Sequence, residues 1–145
     1  MNWELVSALR EGAGQYSQQG LNGVHITIDA PDDLPPLPAA VEVAVYRITQ
    51  EALTNVVRHA EAQICNVRIT LDEQTGWLCL EIVDDGRGLS STRRTGVGLN
   101  SMRERAEELG GTWMIESLST RGTCILVRIP CRSPDTSAAT HPKEE

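Results

Sequence analysis

A chain of 145 residues, 40% apolar and 23% charged, has the size and composition of one globular domain with a hydrophobic core. Its formal charge is −7 and Lys143 is its only lysine, which excludes broad electrostatic capture of nucleic acid and a lysine-type phosphate loop. No apolar run reaches membrane-spanning length and the N-terminus lacks a signal-peptide succession, so a cytoplasmic segment without direct membrane contact is expected, whether or not its parent is membrane-attached.

Residues 2–18 carry Trp3, Leu5, Val6, Leu9 and Ala13 at helical spacing, and residues 1–20 are expected to be a linker or helix remnant of an upstream domain. Val24, Ile26 and Ile28 alternate with polar residues as in a strand. Four prolines between Ala30 and Pro38 make a rigid connection. From Ala39, the apolar residues Val41, Val45, Ile48, Ala52, Val56 and Ala60 define one face of a long helix suited to packing on a sheet. Strands near 64–71 and 77–83 form a hairpin, and the polar segment 84–95 reads as a mobile loop. A shorter helix over 98–109 ends before Gly110 and Gly111, residues suited to a C-cap. Strands over 112–118 and 124–129 follow, Pro130 stops the last, and 131–145 is expected to be a disordered tail. The catalytic or binding unit is thus expected over 21–130, as an α+β fold with helices on one face of a mixed sheet of about five strands. Cys65, Cys79, Cys124 and Cys131 lack paired spacing, and the first three fall in apolar strand-like runs, which predicts buried free thiols.

Three segments carry candidate chemistry. Glu51, Asn55 and Arg58, spaced four and three apart on the long helix, form a polar stripe that is either a solvated flank or the wall of a pocket. As a pocket wall, Asn55 offers a neutral oxygen to a hard cation and Arg58 can reach phosphate; His59 lies beside the stripe. Asp84-Asp85-Gly86-Arg87-Gly88 follows an apolar strand. It is either a simple turn or a site where a strand-end aspartate accepts a hydrogen bond from an exocyclic amine and glycines admit a flat ring. Gly96-Val97-Gly98-Leu99-Asn100 opens the second helix, where unpaired amides and the positive dipole end can receive an anion.

The order of these segments resembles that of bacterial sensor histidine kinases. Gln50-Glu51-Ala52-Leu53-Thr54-Asn55-Val56-Val57-Arg58-His59-Ala60 is similar to their asparagine box, especially in the branch with the nitrate sensors and the DesK-type thermosensor. Residues 84–88 resemble the first glycine box, residues 96–105 the second, and Ser119-Thr120-Arg121-Gly122-Thr123 the glycine turn before the last strand. The resemblance spans about residues 24–130.

It implies a two-layer α/β sandwich of the Bergerat type, binding ATP and Mg2+. Asn55 would coordinate magnesium, Asp84 would hold the adenine amine, and Gly86 and Gly88 would shape the base pocket. Arg58 and His59 would lie with the nucleotide-binding residues, Gly96, Val97, Gly98 and Leu99 would receive the phosphate chain, and Thr123 would stand near the adenine. Glu51 would support metal geometry or phosphotransfer. The partners implied are a histidine-bearing dimerisation domain of the same kinase and, through it, a response regulator. None of His25, His59 and His141 lies in the His-Asp helical context that such kinases phosphorylate, so self-phosphorylation by this chain alone is not expected. The segment 85–95 would be a lid over ATP. Two alternatives remain open: an anti-sigma-type serine kinase on the same fold, and a nonenzymatic nucleotide-responsive interaction module.

Overall fold

The alternation of apolar residues along the strands fixes which side of the sheet the helices cover. The computed structural model describes residues 3–19, 24–60, 62–86, 97–118 and 121–131. Along them run α1 (Trp3–Gln19), β1 (His25–Asp29), α2 (Ala39–Asn55), a π-helical turn (Val56–Ala60), β2 (Ile64–Asp72), β3 (Trp77–Asp84), α3 (Val97–Glu108), β4 (Thr112–Ser117) and β5 (Thr123–Pro130). Among the described residues the strands form one five-stranded sheet in the order β1-β2-β3-β5-β4. β1 pairs parallel to β2, and the other three pairings are antiparallel. The parallel pair needs a crossover, which α2 supplies; the antiparallel pair β2 and β3 needs only the tight turn after Asp72. In that turn the Asp72 carboxylate accepts the N–H of Gln74 and Gly76 adopts φ +78.

The helix-covered face is a continuous apolar layer. Val67, Ile69, Leu78, Leu80, Val127 and Ile129 are fully buried there, and cross-strand register brings Val67 beside Ile82 and Leu80 beside Val127. From above, α2 contributes Val41, Val45, Ile48, Ala52 and Leu53, α1 contributes Leu5, Val6, Leu9 and Ala13, and α3 contributes Leu99, Met102 and Ala106. The α+β sandwich expected from the sequence is therefore the fold observed. At the end of α3 the Gly111 N–H donates to Ala106 O and the Gly110 N–H to Glu107 O, with Gly110 at φ +80. This is the left-handed helix terminus that glycine accommodates.

Two expectations are corrected. The cysteines are free, but only Cys65 is buried, while Cys79, Cys124 and Cys131 are half-buried. Leu78, Leu80 and Ile82 take the inward positions of β3 and Ile125 and Val127 those of β5, so strand parity turns Cys79 and Cys124 to the open face. The long helix also does not continue unchanged to residue 60. It widens into the π turn after Asn55, so Arg58 departs from the line that α-helical spacing would give it. Gly88, Gly96, the lid residues 87–95 and the tail 132–145 lie outside the described residues.

Candidate functional site

The site is built where three strands end together. Asp84 closes β3, and register sets it beside Cys65 of β2 and Thr123 of β5. Asp84 is the only buried charged residue among the described residues, at 7% exposure, and Thr123 is buried beside it at 8%. A carboxylate in such a place costs free energy unless its oxygens are engaged. The Gly86 N–H donates to Asp84 Oδ1 at 2.8 Å, and Oδ2 has no protein donor among the described residues. Burial raises the Asp84 pKa above the ordinary carboxylate value; the Gly86 N–H opposes the shift and the Asp85 charge adds to it. The Cys65 thiol is pushed up to about 12 by burial and then by the charges of Asp84 and Asp85, so Asp84 has a neutral neighbour.

Backbone contacts frame this aspartate. Gly122, in the turn entering β5, has φ +112, and a Cβ there would stand 2.1 Å from the Asp84 carbonyl oxygen. Only glycine allows the turn to approach so closely. Asp85 faces solvent, yet its Oδ1 accepts the N–H groups of Gln63 at 2.8 Å and Ile64 at 2.9 Å. The Ile64 N–H, ahead of the Gln63 N–H and the Arg121 charge, holds the Asp85 carboxyl below its usual range. The Arg121 Nε donates to Asp85 O at 3.1 Å. Asp85, expected at the start of the lid 85–95, is instead anchored to the backbone of Gln63 and Ile64, and Arg121, expected only as part of a glycine turn, is one of its partners. The paired aspartates were a visible signal, but the partners that engage Asp85 are remote in sequence.

The helices supply the other candidates. Glu51 and Asn55 are half-buried and one turn apart on α2, whereas Arg58 lies exposed in the π turn. Glu51 also lines a polar groove of about 200 Å³ between α2 and α3, with Arg47, Gln50, Thr54 and Arg105; Asn55 and Arg58 are not among its walls. His59 belongs to the π turn, and Val97 and Gly98 are the first residues of α3. The Leu99 side chain lies in the core, so it is the backbone of this first turn that remains for an anion. Gly86 is buried directly after the aspartates.

No group of three or more His, Cys, Asp or Glu side chains that could hold a metal occurs among the described residues. The carbonyl oxygen of Asn55 and the carboxylate of Glu51, one turn apart on α2, would make a sparse donor set. Such a set fits Mg2+, which keeps waters and shares phosphate oxygens rather than filling a protein cage. Among the described residues, no helix is long and apolar enough to cross a membrane.

A one-sided mixed sheet with a buried aspartate at the end of a central strand, and α3 opening further along the chain, is an α+β architecture of the Bergerat type. Residues 40–133 match the histidine kinase-, DNA gyrase B-, and HSP90-like ATPase family, and the chain belongs to that family. It is 40% identical over 92 residues to the sensor histidine kinase LiaS of Bacillus subtilis, an alignment covering 62% of this chain and 25% of LiaS. It is 38% identical over 104 residues to the sensor protein VraS of Staphylococcus saprophyticus, covering 70% of this chain and 29% of VraS. The chain thus spans little more than a quarter of these relatives. In fold it is similar to the histidine kinase domain of the Erythrobacter litoralis EL346 blue-light activated histidine kinase. That likeness has a TM-score of 0.73 at 18% identity and covers 97% of this chain and 66% of that one.

Proposed function

We propose that the chain is the ATP-binding catalytic domain of a two-component sensor histidine kinase, passing the terminal phosphoryl of ATP to a histidine on a separate dimerisation domain. The observation that carries this reading is the buried Asp84 beside Thr123, one of whose carboxylate oxygens has no donor among the described residues. A carboxylate oxygen left open at the end of a strand can accept a ligand N–H, and adenine presents such a group where guanine presents a carbonyl oxygen. The similarity to LiaS and VraS supports the kinase assignment. The residue order over 50–60 and 96–105 supports the branch of the nitrate sensors and the DesK-type thermosensor.

In this reading Asp84 accepts the adenine amine, Thr123 and the backbone of Gly86 and Gly88 bound the ring, and the first amides of α3, with Gly96, Val97, Gly98 and Leu99, meet the phosphates. Arg58, exposed in the π turn, would meet the phosphate chain, and His59 would belong with the nucleotide-binding residues. Asn55, with Glu51 one turn before it, would hold Mg2+, whose charge offsets that of the phosphates. Glu51 supports this geometry or the transfer itself. The partner's imidazole nitrogen bonds to the terminal phosphorus as the bond to the bridging oxygen breaks, leaving ADP. The phosphoryl then passes to an aspartate of a response regulator.

Calorimetry with Mg-ATP tests the first half; absence of saturable binding defeats the assignment. Labelled ATP, added with the purified dimerisation domain of the parent kinase, tests the second. Acid-labile label on that domain is expected. Binding without transfer would leave a nucleotide-responsive interaction module in place of the kinase.

A further inference from the structure

Asp85 is exposed, and its polar contacts converge on the backbone around Asp84. Its Oδ1 takes two successive backbone N–H groups, those of Gln63 and Ile64, where the chain leaves the π turn and enters β2. Its own N–H donates to Ile64 O at 3.2 Å, one step beyond the Cys65 and Asp84 register pair. Its carbonyl oxygen accepts from Arg121 Nε. On the other side of the same peptide, the Asp84 carbonyl is hemmed in by Gly122. The peptide joining Asp84 to Asp85 is thereby held by the start of β2 and by the β4–β5 turn at once.

Resting on the nucleotide-binding reading above, we infer that Asp85 is a positioning residue that sets the direction of the Asp84 carboxylate and so the discrimination of adenine from guanine. It touches no nucleotide itself. Hydrogen bonds to a carboxylate are stronger and more directional than neutral ones, and two adjacent N–H groups on one oxygen define its place closely. The same clasp ties the exit of the helix bearing Asn55 to the aspartate, so both ends of the nucleotide share one backbone reference.

The test is calorimetric binding of Mg-ATP and Mg-GTP to the full chain and its variants. The wild type is expected to prefer ATP. In Asp85→Ala, which leaves no cavity because the side chain is exposed, the ratio of GTP to ATP dissociation constants is expected to fall about tenfold, the scale of one charge-assisted hydrogen bond lost at the ligand. Asp85→Asn keeps an acceptor oxygen and should hold the ratio within about threefold of wild type. Arg121→Ala, which removes the Nε contact and the neighbouring positive charge of an exposed side chain, should lower the ratio about threefold; this variant decides the matter if Asp85→Ala fails to fold. A general loss of stability would weaken both nucleotides alike and leave the ratio unchanged. An unchanged ratio in folded Asp85→Ala, or in Arg121→Ala where the former does not fold, overturns the positioning role while ATP binding stands. A wild type that binds neither nucleotide removes the reading on which the role rests.

Discussion

Replacing Gly122 by alanine should damage stability and nucleotide binding together, and the structure shows by how much. The new Cβ would stand 2.1 Å from the Asp84 carbonyl oxygen, far inside the roughly 3.5 Å of a relaxed nonbonded contact, so one backbone must retreat by more than an ångström. The φ of +112 adds strain of about 1–2 kcal/mol for a residue with a side chain. Together these point to a loss of about 3 kcal/mol, or a fall in Tm of about 10 °C for a domain of this size. Gly111→Ala is the matched control, because its Cβ would meet Arg128 O at 2.2 Å in the turn between α3 and β4, away from Asp84. Both variants should melt early in thermal unfolding. At a temperature where both remain folded, calorimetry should show ATP affinity falling about tenfold in Gly122→Ala and less than about twofold in Gly111→Ala. Equal effects on ATP in the two variants would refute the coupling of the turn to Asp84.

Asp84→Asn should separate stability from binding. The raised pKa of Asp84 means that the folded state holds this proton more tightly than the unfolded chain does. The associated stability is full below the ordinary carboxylate pKa and is lost as pH rises through the raised value. The amide variant should therefore be more stable than wild type at pH 7, with the gap closing toward about pH 3 in denaturant titrations, while ATP binding disappears. In α1, Gly12→Ala and Gly14→Ala place a Cβ where nothing lies within 4 Å, and each should stabilise the fold by up to about 0.8 kcal/mol in urea unfolding. Leu80→Ala empties a fully buried position of the central strand β3 and should cost about 3 kcal/mol in the same assay.

The elements of the fold were legible because their signals are local. Strand alternation and helical spacing are properties of a few neighbouring residues, and the strands expected near 64–71 and 77–83 lie within β2 and β3. What parity would do to Cys79 and Cys124 required knowing which face the helices cover. The stripe of Glu51, Asn55 and Arg58 assumed one helical period throughout; the π turn breaks it, and no residue in Val56–Ala60 announces that change. Glycine at 122 was readable as a turn. That it must be glycine because a particular carbonyl stands against it was not.

Composition, periodicity and the order of short motifs were sufficient by themselves to determine an α+β domain of this class and to single out Asp84, Asn55 and the glycine-led helix. Tertiary structure alone decided the sheet order β1-β2-β3-β5-β4, the burial of Asp84 between Cys65 and Thr123, and the engagement of Asp85 with Gln63, Ile64 and Arg121. The physical reason is range. Side-chain period and backbone propensity act over one or two turns of chain, whereas the desolvation of a carboxylate and the hydrogen bonds around it depend on which distant segments the packed sheet brings alongside.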